Sequence, residues 1–175
     1  RPGQDRGQCR GAHRRAGRLA TEENERLCGK LQERVRLSSP EASGVEVFFR
    51  TEKEYRGIIA LRGDDLREEI AETDPQQIGV APHPPLALTP EAAKTSAILT
   101  ELIEKVKKVL ADEPKANMIL LRGYGKYQQF PSIGGRFGIN SLAIANYPMY
   151  RGIARLLGMA VHPLTYTIAE EFAAL

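Results

Sequence analysis

Three stretches of the sequence set arginine beside glycine or at the end of an apolar run. They are His13-Arg14-Arg15-Ala16-Gly17-Arg18, then Arg56-Gly57 with Arg62-Gly63, and Arg122-Gly123-Tyr124-Gly125-Lys126. A guanidinium grips phosphate or carboxylate through two parallel hydrogen bonds, and neighbouring glycines let backbone N–H groups approach the same anion. Arg14, Arg15, Arg18, Arg56, Arg62, Arg122 and Lys126 are therefore the candidate ligands for a small anionic molecule. Arg56 and Arg62 lie six residues apart, so a regular strand would put them on one face, and with Arg122, likewise at a strand end beside glycine, they are expected to converge on one anion-binding surface. Taken singly, each stretch is also what a solvated surface arginine looks like.

Other chemistries fit less well. Gly123-Tyr124-Gly125-Lys126 lacks the four-residue spacer and the Ser or Thr after lysine that a P-loop needs. Gly134-Gly135-Arg136-Phe137-Gly138 follows no predicted strand and opens no predicted helix, which argues against a dinucleotide site. Asp64, Asp65, Asp74, His13, His83 and His162 show no metal-ligand spacing and read as loop residues. Nothing resembles a Ser-His-Asp triad or paired glycosidase carboxylates. No catalytic and no metal-ligating residue is expected within the chain.

The elements that must position these arginines follow from periodicity. Residues 1–19 carry six arginines against one aspartate and almost no apolar content, so they read as a basic loop. Thr21 should cap a helix with Glu22 and Glu23 in its first turn and Leu27, Leu31 and Val35 along one side, ended by Ser38-Ser39-Pro40. Strands are predicted over 45–49 and 55–61, with Thr51-Glu52-Lys53-Glu54 as the turn of a hairpin. Residues 62–88 lose periodicity and gather prolines, and so long a loop is often functional. Thr89-Pro90-Glu91 opens a helix to about residue 111, with Ile98, Leu102, Val106 and Val109 facing a core. Further strands are predicted at 117–121 and 141–145, joining the first two in one sheet. A helix near Pro148 to Leu157, closed by Gly158, then leads to a strand at Met159-Ala160-Val161. The fold class is α/β, with a mixed sheet and helices packed on it.

Composition allows a sizeable core and little else that is special. The 175 residues are 42% hydrophobic and 27% charged, with a net charge of +3. Cys9 and Cys28 form no spaced framework, and Cys28 reads as a buried free thiol. No apolar run approaches the roughly 18–20 residues that cross a bilayer. With no apolar N-terminal stretch of the secretory kind either, a cytoplasmic setting and no membrane partner are expected. The basic N-terminus admits a second class, a nucleic-acid-binding module. Phe48, Phe49, Tyr124 and Tyr127 form no recognised RNA-stacking motif, so nucleic acid is not the expected partner.

From residue 117 onward the sequence is no longer generic. Asn117-Met118-Ile119-Leu120-Leu121-Arg122-Gly123-Tyr124-Gly125 with Phe130-Pro131-Ser132-Ile133, and Met149-Tyr150-Arg151-Gly152-Ile153-Ala154-Arg155-Leu156-Leu157-Gly158-Met159, resemble segments of archaeal-type cofactor-independent phosphoglycerate mutases. Arg14-Arg15-Ala16-Gly17-Arg18, Arg56-Gly57 and Thr73-Asp74-Pro75 match the same pattern upstream, in order. The chain departs from it at His13, where an acid is usual, at Tyr55, where histidine is frequent, and at Val161-His162-Pro163-Leu164, where a glycine-rich stretch is usual. The departures bear on proton transfer. The anion-binding arginines are retained.

The resemblance implies a place in the alkaline phosphatase superfamily and a parent enzyme of glycolysis and gluconeogenesis. That parent would interconvert 3-phosphoglycerate and 2-phosphoglycerate through a phosphoserine, with two divalent metal ions (manganese, magnesium or zinc). A related small phosphorylated or phosphonate acid is the alternative substrate. It further implies that residues 1–19 are a hinge from the phosphatase-like domain, 20–146 an inserted substrate-binding domain, and 147–175 the return into the phosphatase-like domain. The partners are then the phosphorylated substrate and the remainder of the parent chain. This fragment would bind no metal ion and, alone, would be inactive.

Overall fold

The structure, a computed structural model, describes residues 19–77 and 79–174. It mixes α and β elements in two compact units that divide after Lys126.

The first unit is built on one hairpin and two long helices. Helix α1 (Thr21–Arg34) buries Leu27 and Leu31, and Val35 beyond its end is buried too. Thr21 is not the cap, because Ala20 holds that position and no side chain caps the helix. The Thr21 hydroxyl instead accepts from the Glu54 N–H at 3.0 Å, fastening the hairpin turn. The helix also stops four residues before Ser38, since Val35 is already extended. Strands β1 (Glu46–Lys53) and β2 (Arg56–Arg62) pair antiparallel, and the turn is tighter than expected, with Glu54 in the left-handed region. Val47, Phe49, Ile59 and Leu61 face inward, as period-two alternation requires.

Helix α2 (Ala93–Val109) follows a 3₁₀ turn at Pro90–Ala92. Ile98, Leu102 and Val106 are fully enclosed, on the face the periodicity predicted. Two polar devices tie the unit together. The Glu101 carboxylate accepts from the N–H groups of Ser38 and Ser39 at 2.7 and 3.1 Å. Arg26 and Lys30 of α1 reach Asp112 and Glu113 just past α2, at 2.5–2.6 Å.

The single four-stranded sheet does not form. The side-chain amide of Gln32 accepts from the Phe49 N–H and donates to the Val47 carbonyl, so α1 occupies the outer edge of β1 where another strand could have paired. Residues 117–121 are irregular, although Ile119 and Leu121 pack on the core. Their β-rich composition reflects burial, not a ladder. The 141–145 segment yields only β3 (Leu142–Ala143), in the second unit.

Residues 62–88 contain more order than their composition suggested. Ala71 N–H donates to Leu86 O, Leu88 N–H to Glu69 O and His83 N–H to Thr73 O, at 2.8–3.0 Å. Two irregular runs, 69–73 and 83–88, thus lie antiparallel, with an Ile70–Ala87 bridge and Ile70 in the core.

In the second unit β3 pairs parallel with β4 (Ala160–Val161). Helix α4 (Pro148–Leu156) lies between them in sequence, ended by Gly158 at φ +70°. Gly158 allows a close approach as well, because a Cβ there would stand 2.6 Å from that of Ser132. The Arg151 guanidinium donates to Ala145 O and His162 O at 2.7 and 2.8 Å, joining the chain beyond the two strands. The glycine-rich stretch does open a short helix, α3 (Ile133–Phe137), capped by the Ser132 hydroxyl. The last helix, α5 (Ile168–Ala173), starts with a Thr167–Glu170 capping box.

Candidate anion-binding site

Arg122 owes its position to one buried threonine. The Thr73 hydroxyl accepts from the Leu121 N–H at 2.7 Å and lies 3.2 Å from Leu121 O, which also accepts from the Thr73 N–H at 2.9 Å. Thr73 is 1% exposed. With the preceding residue fixed on both sides of its peptide, Arg122 emerges beside Asp74, Nη1 to Oδ2 at 3.6 Å. Asp74 is buried and accepts from the Gln76 N–H as well, while Arg122 stays more than half exposed. A fixed base with an exposed guanidinium suits binding from solvent.

The next residues are held through their backbone N–H groups. Gly123 has φ +66°, and its N–H donates to Glu72 Oε1 at 3.1 Å. The Lys126 N–H donates to Glu68 Oε2. Between them the Tyr124 ring packs on the core, and its hydroxyl is buried with no hydrogen-bond partner among the described residues. Burial, then the Glu72 charge, pushes this phenol up to about 12, so it remains a donor at neutral pH.

The other two candidate arginines among the described residues stand at opposite ends of the hairpin. Arg56 is paired with Lys53 and Arg62 with Glu46 across the ladder. Six residues of strand separate their Cα atoms by about 20 Å. They do alternate onto the solvent face, as expected. Each, however, is engaged locally. Arg56 lies 3.3 Å from Glu54 and over the Tyr55 ring, and Arg62 lies 3.3 Å from Glu46 and over the Phe48 ring. Exposed pairs of this kind are worth under about 1 kcal/mol, so either arginine can be recruited by a ligand. One small ion cannot bridge both along the strand, which corrects the expectation that Arg56, Arg62 and Arg122 share a single site. Arg14, Arg15 and Arg18 lie outside the described residues.

Sequence reasoning named Arg122 and Lys126 but missed Glu68, Glu72 and Thr73, which organise them. The only available signal was the Thr73-Asp74-Pro75 resemblance. Acids in a proline-rich stretch without periodicity carry no mark of their own. Among the described residues no group of three or more His, Cys, Asp or Glu could hold a metal ion.

A family model of 2,3-bisphosphoglycerate-independent phosphoglycerate mutase matches residues 5–116. The chain belongs to that family. The matched stretch of this phosphoglycerate mutase family chain includes Arg14, Arg15, Arg18, Arg56 and Arg62. Probable 2,3-bisphosphoglycerate-independent phosphoglycerate mutases resemble it over more of its length. That of Thermus thermophilus is 42% identical over 151 residues, 86% of this chain and 36% of the relative. That of Aquifex aeolicus is 41% identical, over 85% and 36%. The Thermotoga maritima protein is 38% identical over 165 residues, 93% and 39%. The chain therefore spans well under half the length of these relatives. The cofactor-independent phosphoglycerate mutase of Thermoplasma acidophilum shares the fold at a TM-score of 0.65 and 23% identity, over 86% of this chain and 42% of that one. No helix among the described residues is long and apolar enough to cross a membrane.

Proposed function

We propose that this chain is the substrate-binding part of a phosphoglycerate mutase that interconverts 3-phosphoglycerate and 2-phosphoglycerate. Membership of the family, on the match to residues 5–116, carries the reading. A phosphorylated three-carbon acid bears two anionic groups, and Arg14, Arg15, Arg18, Arg56, Arg62, Arg122 and Lys126 supply cations for them. Arg122 is the best prepared, because Thr73 and Asp74 fix where it leaves the backbone. Arg56 and Arg62 would meet different parts of the ligand, or steer it at longer range.

The chemistry of transfer belongs, in this reading, to the remainder of a longer chain. Two divalent metal ions would support a phosphorylated serine there by neutralising charge on the migrating group. The described residues offer them no ligand set. What these residues do is bind, orient and hold the acid while its phosphoryl group moves. Residues 1–19 would be the hinge, 20–146 the inserted domain and 147–175 the return into a phosphatase-like domain. In support of the return, Met149, Tyr150, Ile153 and Leu156 of α4 and Ile168 and Phe172 of α5 stay exposed.

Steady-state kinetics of the complete enzyme test the assignment. Arg122→Ala should raise KM for 3-phosphoglycerate about tenfold or more, the loss of one charge-assisted contact. The 175-residue chain alone, in a coupled assay with manganese, should give only background conversion. An unchanged KM would remove Arg122 from the substrate site, and turnover by the chain alone would put the chemistry back inside it.

A further inference from the structure

We infer that the 122–126 segment is self-occupied: the carboxylates of Glu68 and Glu72 take the backbone donors that a phosphate or carboxylate would use, so an anion binds there only by displacing them. This rests on the reading of Arg122 as an anion ligand and adds a built-in competitor to it.

Two backbone donors of the segment already carry carboxylates. Gly123, in the left-handed region, aims its N–H at Glu72 Oε1 at 3.1 Å, and the Lys126 N–H meets Glu68 Oε2. Gly125 between them keeps the approach open, since even a Cβ there would stand 3.8 Å from Glu68 Oε2. Backbone N–H groups beside glycines are accessible donors for anions. A carboxylate satisfies such donors as a phosphate oxygen would. The buried Tyr124 hydroxyl, beside Glu72 and without a partner among the described residues, is a further donor in the same segment.

The competitor can leave without unfolding anything. The Arg67 N–H bonded to the Thr95 hydroxyl, the bonds of 69–73 to Leu86 and Leu88, and Ile70 in the core keep the backbone carrying the two glutamates in place. Only side-chain torsions need to change, and the freed glutamate regains rotamer entropy. Glu72 is exposed and Glu68 half-buried, so water receives both carboxylates readily. Asp74 plays a different part. Buried and bonded to the Gln76 N–H, it stays as the orienting partner of Arg122. While the self-contact persists, apparent affinity for an external anion falls by the fraction of time the donors are taken. The consequence is selectivity: a monoanion that reaches only these two amides is refused, and a ligand that also engages Arg122 and Lys126 is admitted.

Inorganic phosphate titrated into the 175-residue chain, followed through the amide signals of Gly123 and Lys126 by ¹⁵N NMR, tests this. Glu68→Ala with Glu72→Ala should tighten phosphate binding about tenfold relative to the parent. Arg122→Ala should weaken it in both backgrounds. Amides of Phe49 and Leu102 report whether the fold is kept, and Glu68→Gln with Glu72→Gln replaces the alanine pair if it is not, with the same direction expected. If the glutamate variants bind no tighter while Arg122→Ala still weakens binding, the competitor is refuted and the anion site stands. If Arg122→Ala has no effect and the two amides do not move, the site reading fails and takes this inference with it.

Discussion

Helices α2 and α4 carry the same kind of apolar stripe and end in opposite surroundings. In α2, Ile98, Leu102 and Val106 are each 0% exposed. In α4, Met149, Tyr150, Ile153 and Leu156 remain 44–59% exposed, and Ala154 alone of that helix is buried. Both helices obey the 3.6-residue period, so the period establishes that a face wants covering but not what covers it. In the first unit, residues of α1, of the hairpin and of the 69–73 run form one buried cluster with Leu102 and Val106. In the second unit the described residues leave α4 without such a cluster, and apolar faces of this kind mark a surface made for a partner. The remainder of a chain more than twice as long is the partner proposed here.

The largest expected effect separates the two helices. Val106→Asp would bury an unpaired charge and should cost about 3–5 kcal/mol in urea or thermal unfolding. Ile153→Asp, at a position 47% exposed, should stay within about 0.5 kcal/mol of the parent in the same chain. Equal losses at the two sites would erase the contrast and show that α4 is packed within this chain.

A smaller effect is expected at Thr73. Thr73→Val keeps the shape but leaves the buried Leu121 N–H without its side-chain acceptor, for about 1–3 kcal/mol. It should also loosen Arg122, visible as a weakened response of the Gly123 amide to phosphate. Full stability with an unaltered response would mean that the Thr73–Leu121 bonds position nothing.

The smallest is a pH dependence confined to the first unit. Hydrogen bonds from Arg26 and Lys30 bring the Glu113 carboxyl from its ordinary 4.5 down to about 2. At Glu101 partial burial pushes upward, but the donors of Ser39 and Ser38 prevail and also bring it to about 2. A carboxyl with a lowered folded-state value stabilises above the ordinary carboxylate range and loses that contribution as pH falls through the folded value. The melting temperature of the first unit should therefore decline from about pH 5 toward pH 2, and Glu113→Gln should flatten the decline. An unchanged slope in the variant would show that the α1–α2 ion cluster is too well solvated to matter.

Much of the frame was legible in the residues. The α2 face, the hairpin and α4 with its Gly158 stop follow local rules that tertiary context left standing. The irregular order of 62–88 was not legible, because its bonds join residues through single peptides and buried side chains with no repeating spacing. Thr73 and Leu121 are 48 residues apart, and neither has a local reason to meet the other. The 117–121 run failed as a strand for a related reason, since β propensity reports fitness for burial and does not supply a pairing partner. For the site, residue type identified Arg122, whereas its neighbours were set by the fold. The same logic misjudged Arg56 and Arg62: a shared face was read correctly, but 20 Å of strand, roughly, lay between them.

We propose above that this chain binds the phosphorylated acid through Arg122 in concert with its basic neighbours. Calorimetric titration of 3-phosphoglycerate into the 175-residue chain, beside glycerate and beside the Arg122→Ala variant, measures it directly. Binding of 3-phosphoglycerate is expected to be about tenfold or more tighter than that of glycerate and to be lost to a similar degree in the variant. Equal affinity for the two acids, or an Arg122→Ala chain that binds 3-phosphoglycerate as well as the parent does, would contradict that proposal.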